Sequence, residues 1–151
     1  HCVGGGILLA VGCDLRIAAD NTRFAIPEVD LGIPLAWGGI PRLVREVGPA
    51  VTRELVMTCR PFDAVEAQSL GMVNRVVPLD RLRIETDELA ASLAAKPVSL
   101  LRTTKRQVQE ATEDMVSTQS GWTASAHLAV ALADPEARAA ASAYLAGRGG
   151  R

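Results

Sequence analysis

The sequence predicts an α/β fold with its strands early and its helices late, and three observations carry that prediction. Residues 1–78 hold short alternating stretches punctuated by Gly, Pro, Asn and Asp. Residues 80–145 are almost wholly helix-compatible and show no period-two alternation. Between them, "MVNRVV" reads as a last short strand before Pro78. The chain therefore divides into a core region, 1–78, and a C-terminal helical region, 79–151.

At 151 residues, with 48% hydrophobic and 22% charged residues, the chain has the balance of one folded domain and not of a disordered segment. Its net charge of −1, with Lys and Arg scattered, argues against a nucleic-acid surface and against a polybasic membrane patch. Only 3% of residues are aromatic, too few for platforms that stack bases. No apolar run reaches the length of a membrane span, and Asp14 and Arg16 interrupt the longest early one. There is no signal-peptide pattern, and the terminal "GRGGR" is not a peroxisomal address. Cys2, Cys13 and Cys59 are isolated and lack metal-ligand spacing, and only His127 among the histidines lies well inside the chain. They are expected to be reduced, mostly buried thiols of a cytoplasmic protein without a metal centre.

Element by element, Gly4, Gly5 and Gly6 lead into "ILLAVGC", which is apolar on every side and predicts a fully buried helix. "DLRIAA" alternates, with Leu15 and Ile17 opposite Asp14 and Arg16, and reads as a strand. "DNT" is turn chemistry, and "RFAI" is a second strand held extended by Pro27. "PEVDLGIPLAWGG" has no helical period and is a loop whose Leu31, Ile33, Leu35 and Trp37 must line or pack under something. Ile40, Leu43, Val44 and Val47 then follow helical spacing up to Gly48. Pro49 suits the first position of another helix, carrying Val51 and Leu55. Asp63, Glu66 and Gly71 mark the cap, the first turn and the stop of a short helix. Breaks in the tail are expected at Lys96-Pro97, near Gly121, and at Asp134-Pro135. Two or three short strands cannot make a satisfied sheet, so further strands are expected from a segment ahead of His1 or from another chain.

Three chemistries place glycines at a helix start, where backbone N–H groups are unpaired. A dinucleotide fingerprint fails because Leu9 stands where Gly or Ala is needed, and a P-loop fails for want of Gly-Lys-Ser/Thr. An oxyanion hole remains, beside the plainer reading that the glycines only let a buried helix pack closely on a sheet.

The glycines do not stand alone. Their order with "CDLRIAA", "FAIPEVDLGIP", "GG" and "RL", continued through "VGPAVTRELVMTCRPFDAVEAQSLGMVNRVVP", resembles the enoyl-CoA hydratase/isomerase (crotonase) family over nearly the whole chain. The resemblance implies a crotonase-like ββα spiral, of which only the later part is present, followed by a C-terminal helical trimerisation region. It also implies that the chain corresponds to the family's C-terminal portion, starting inside the central glycine motif. The substrate would be an acyl-CoA thioester, CoA being part of the substrate and no other cofactor being needed. The assembly would be a homo-trimer or a dimer of trimers, without nucleic acid or membrane.

By the same resemblance, the Gly5 N–H supplies half of an oxyanion hole and Glu28 is the proton-transfer residue. Gly4, Leu8, Pro27, Ile33, Pro34 and Trp37 fall in the acyl/CoA pocket region, although Trp37, Ile33 and Pro34 read equally as packing under the loop. Family hydratases carry a second glutamate in the helix after the glycines, and here that position is Leu8. A double-bond isomerase of the Δ3,Δ2-enoyl-CoA type needs only one carboxylate. An isomerase-like activity is therefore favoured. The alternatives are an enoyl-CoA hydratase (a lyase of fatty-acid β-oxidation) and a non-catalytic acyl-CoA-binding or truncated member. Asp30 reads as structural, Cys13 as core, and His127 as surface or interface. At the C-terminus Tyr144 and Arg148 keep the family's aromatic and cation while Ala146 and Gly147 replace charged residues, leaving Arg148 to meet CoA phosphates.

Overall fold

Helix ends follow from local signals, while the shortest strands exist only through long-range pairing. The computed structural model describes residues 1–148. β1 (Cys2–Val3) runs straight into α1 (Gly5–Val11), then β2 (Ile17–Ala19) and β3 (Arg23–Ala25) lead to the loop 27–38. α2 (Gly39–Thr58), β4 (Phe62–Asp63), α3 (Ala64–Ser69) and β5 (Arg75–Val77) complete the first region. Four helices follow: α4 (Leu82–Ala94), α5 (Val98–Met115), α6 (Ala124–Ala133) and α7 (Pro135–Arg148). Tight 3-10 turns at Leu79–Arg81 and Gln119–Thr123 join them.

The strands form two small sheets. β1 lies parallel to β3, with Val3 opposite Ala25, and β3 lies antiparallel to β4. Phe24 and Phe62 face each other across that last pair, their rings stacked at 5.2 Å between centroids. β2 and β5 form a separate parallel pair. The expected strand "DLRIAA" is shorter than its alternation implies. The Arg16 N–H is taken by the Asn74 side chain at 2.7 Å, not by a strand carbonyl, so the ladder begins only at Ile17. Arg16 itself turns inward, donating to the Met72 carbonyl at 2.5 Å, to the Cys13 carbonyl at 2.6 Å and to Glu46.

The core gathers Ile7, Leu8 and Val11 of α1, Phe24 and Ile26 of β3 and its exit, and Leu43 and Leu55 of α2. Every fully buried residue described lies between Gly4 and Val73, and the four late helices contain none. α1 is not buried all round: Leu9 is 71% exposed, because no described segment packs on that face. Cys13 is exposed and Cys2 half-buried, which corrects the expectation of mostly buried thiols; only Cys59 is enclosed.

Helix ends fall where local chemistry puts them. Gly48 leaves helical geometry (φ 78, ψ 167) and Pro49 restarts it, so α2 is two helices end to end. The Asp63 carboxylate accepts the Glu66 N–H at 2.9 Å, while the Glu66 side chain goes to Arg60 and does not close a reciprocal box. Asp134 likewise accepts the Glu136 N–H at 3.0 Å.

Arg45 ties the late helices to the core. Its guanidinium binds Glu113 near the end of α5 and the Val116 carbonyl at 2.6 Å. That guanidinium, with the Thr118 amide next, holds the Glu113 carboxyl at about 2, well below its ordinary value. A depressed folded-state value stabilises the fold above the unfolded carboxyl range, and the benefit is lost as pH falls toward 2. Protection of the α5 end against hydrogen exchange is therefore expected to weaken between pH 4.5 and 2. In Arg45→Ala it should already be weak at neutral pH.

Candidate active site

The site is assembled where β1 and β3 run side by side. The Gly4 N–H donates to the Ala25 carbonyl at 2.9 Å, which fixes the glycine turn beside the exit of β3. Pro27 is buried at that exit and forces the chain into the loop. Three backbone bonds then close a turn around Glu28. Leu31 N–H donates to the Pro27 carbonyl at 3.0 Å, Gly32 N–H to Val29 at 2.9 Å, and Ile33 N–H to Glu28 at 2.9 Å.

The Glu28 side chain points back to the glycines. A Cβ on Gly4 would lie 2.6 Å from Glu28 Oε1 and 3.4 Å from its carboxyl carbon. The carboxyl thus fills the space a side chain at position 4 would need. Gly4 also sits at φ 53, ψ −119, a backbone that L-residues rarely adopt. Glu28 is 9% exposed, and its Oε2 has no hydrogen-bond partner among the described residues. Burial raises its carboxyl above the ordinary value, offset only in part by its own backbone amide.

Gly5 opens α1, ahead of the first helical bond, which runs from the Ile7 N–H to the Gly4 carbonyl at 2.9 Å. The six-membered ring of Trp37 lies over it: a Cβ on Gly5 would be 3.0 Å from Trp37 Cζ3. Leu8, one turn along α1, is 8% exposed and packs in the core. Its Cδ2 would be 2.6 Å from a Cβ on Gly39, and Leu35 covers the same glycine.

Gly4, Gly5, Pro27, Glu28 and Trp37 are therefore brought together, while Leu8 packs in the core against Gly39. Ile33 and Pro34 lie further along the loop, facing α6 and α7. There they line an apolar cleft of about 590 Å³ with Val29, Val130, Ala131 and Ala137. Pro34 also lines a smaller cleft of about 220 Å³ beside Gly38 and Gly121, and Glu28 lines neither. His127 is exposed and stands at both clefts. The Arg148 side chain lies outside the described residues. Among the described residues no group of His, Cys, Asp and Glu could hold a metal ion, and no helix is long and apolar enough to cross a membrane.

Residues 1–145 match the enoyl-CoA hydratase/isomerase family. The chain belongs to that family. A probable enoyl-CoA hydratase of Mycobacterium tuberculosis, echA8, is 40% identical over 117 residues, covering 78% of this chain and 46% of the relative. The short-chain-enoyl-CoA hydratase of Clostridioides difficile is 40% identical over 114 residues, 76% of this chain and 74% of that protein. The crystal structure of an enoyl-CoA hydratase/isomerase from Pseudoalteromonas atlantica superposes with a TM-score of 0.87 at 25% identity, over 97% of this chain and 58% of that one. The chain thus spans about half the length of most curated relatives it matches. The partial crotonase fold with a C-terminal helical region, expected from the sequence, is the fold observed.

Two site features of this member of the hydratase/isomerase family escaped the sequence reading. Arg42 donates to the carbonyls of Trp37 and Gly38 at 3.1 and 3.0 Å and so pins the loop's end, although nothing but its place in the first turn of α2 signals it. The buried Cys59 thiol lies close to the backbone of Val29 and Asp30, a proximity between residues some thirty positions apart that no local pattern announces.

Proposed function

We propose that this chain carries the reacting part of an acyl-CoA thioester enzyme in which the Gly5 N–H holds the thioester oxygen and Glu28 alone moves the proton. The activity favoured is a double-bond shift. The observation that carries this reading is a buried carboxylate with an unpartnered oxygen, set at the glycine turn, with a leucine where a second acid would act. The Glu28 carboxylate removes a proton from the α-carbon of a β,γ-enoyl thioester. The electron pair passes into a dienolate whose oxygen charge meets the Gly5 N–H. The protonated Glu28 then returns the proton to the γ-carbon, leaving the double bond at α,β. A raised carboxyl suits both the removal and the return near neutral pH. Hydration needs a water oriented and activated on the other side, and the Leu8 side chain has no atom to do so. CoA enters as part of the substrate and no separate cofactor is required.

A hydratase is the second reading, favoured by the names of relatives at 40% identity. The two are separated by measuring β,γ-enoyl-CoA isomerisation and crotonyl-CoA hydration on the same native protein. Isomerisation is expected to be the faster, and Leu8→Glu to raise hydration relative to it by at least about tenfold. Faster hydration than isomerisation in the unaltered protein overturns the isomerase reading. Acyl-CoA binding without either activity would mark a non-catalytic member.

The same reading makes the late helices an assembly surface. Leu93, Leu100, Val108 and Met115 along them, and Trp122 in the turn before α6, are exposed, the kind of apolar exposure that copies of the chain would cover in a trimer.

A further inference from the structure

Trp37 combines three properties that rarely coincide. Its backbone sits at φ 56, a left-handed conformation that is an outlier for so bulky a residue. Its side chain is 73% exposed, the reverse of what burial of an indole favours. Its six-membered ring nonetheless lies against Gly5, within 3.0 Å of where a Cβ would be. Packing among the described residues accounts for none of this, since Trp37 is not in their buried cluster. The conformation is held from outside: Arg42 Nη1 donates to the Trp37 carbonyl at 3.1 Å and to the Gly38 carbonyl at 3.0 Å. Backbone strain that is over-determined in this way gathers at ligand clamps.

We infer that the exposed face of the Trp37 indole is a substrate-contacting surface, stacking on a planar acyl group conjugated with the thioester carbonyl and so favouring α,β-unsaturated over saturated acyl thioesters. The inference rests on the proposed function, which places the thioester oxygen at the Gly5 N–H, beside the ring. A conjugated acyl thioester is flat from the carbonyl through the double bond and offers a π face to the indole. A saturated chain of the same length is puckered and offers none. Aromatic rings gain from such offset stacking beyond the area buried.

The test is calorimetric titration of the native protein, carrying Glu28→Gln to prevent turnover, with crotonyl-CoA and butanoyl-CoA. These differ only at one carbon–carbon bond. Crotonyl-CoA is expected to bind about five- to tenfold more tightly. In Trp37→Gly, which accepts the left-handed backbone, the two should bind within about twofold of each other, and Trp37→Phe, which keeps a flat ring, should restore part of the preference. Fluorine NMR of fluorotryptophan-labelled protein supplies a readout independent of affinity. The Trp37 resonance, assigned by its loss in Trp37→Phe, should move with crotonyl-CoA. An unchanged ratio in Trp37→Gly, or a resonance indifferent to crotonyl-CoA, overturns the role of Trp37 and leaves the proposed function standing. If neither thioester binds, the proposed function fails, and this inference with it.

Discussion

Glu28→Gln is expected to lower turnover of an acyl-CoA substrate by about 10²–10⁴-fold while leaving thioester binding nearly unchanged. The amide keeps the shape of the side chain and loses the proton-transfer capacity. The same substitution should raise thermal stability at neutral pH. The wild-type carboxyl is buried, one oxygen lacks a partner, and its ionised form is disfavoured by desolvation. For a carboxyl whose folded-state value is raised, the stabilising form is the protonated one. Its contribution is fully present below the unfolded value and is lost as pH rises through the raised folded value. The stability gain of Glu28→Gln should therefore be largest at neutral pH and vanish toward the acid end. Turnover by the wild type should rise with pH on a limb lying above the ordinary carboxyl value of 4.5. An acid limb at or below that value, or a Gln variant less stable at neutral pH, contradicts the burial argument. Opposite effects on activity and stability are what a residue kept for chemistry produces.

Gly4→Ala should combine a loss of activity comparable to Glu28→Gln with a stability cost of about 1–3 kcal/mol. Two causes act at one atom. The backbone at φ 53, ψ −119 is strained for any residue with a Cβ, and the Cβ itself would stand 2.6 Å from Glu28 Oε1. Glu28 cannot keep its position, and a displaced carboxyl loses its enclosure against Gly4. The carboxyl should then titrate near its ordinary value, so the acid limb of any residual activity moves down. That shift separates Gly4→Ala from a merely unstable variant. Thermal melts with and without the substitution, beside a pH–rate profile, would show it, and retained turnover with an unmoved limb would refute the contact.

Much of this was legible from local chemistry. The Asp63 cap, the Gly48-Pro49 break and the Asp134-Pro135 start each depend on a few adjacent residues, and the helices begin and end there. The glycine turn and Glu28 were legible as candidates because residue types in a fixed order carry them. What stayed hidden depends on partners distant in sequence. β1 and β4 are two residues each and exist only through pairing with β3, so no periodicity marks them. "DLRIAA" alternates from Asp14, yet Asn74 shortens the strand by intercepting the Arg16 amide. Leu9 and Cys13 read as core by type and are exposed, because the cover of each face is set by other segments.

The sequence by itself determined the α/β class, the early strands with a late helical region, and the helix ends at Gly48, Asp63 and Asp134, and it singled out Glu28 as a candidate. Only the tertiary structure decided that the Glu28 carboxyl is enclosed against Gly4, that Leu8 is packed over Gly39, and that Trp37 stands in the open across Gly5. Propensity and capping are properties of neighbours along the chain. Burial, desolvation and close approach are sums over neighbours in space, and the residues that set them here lie tens of positions apart.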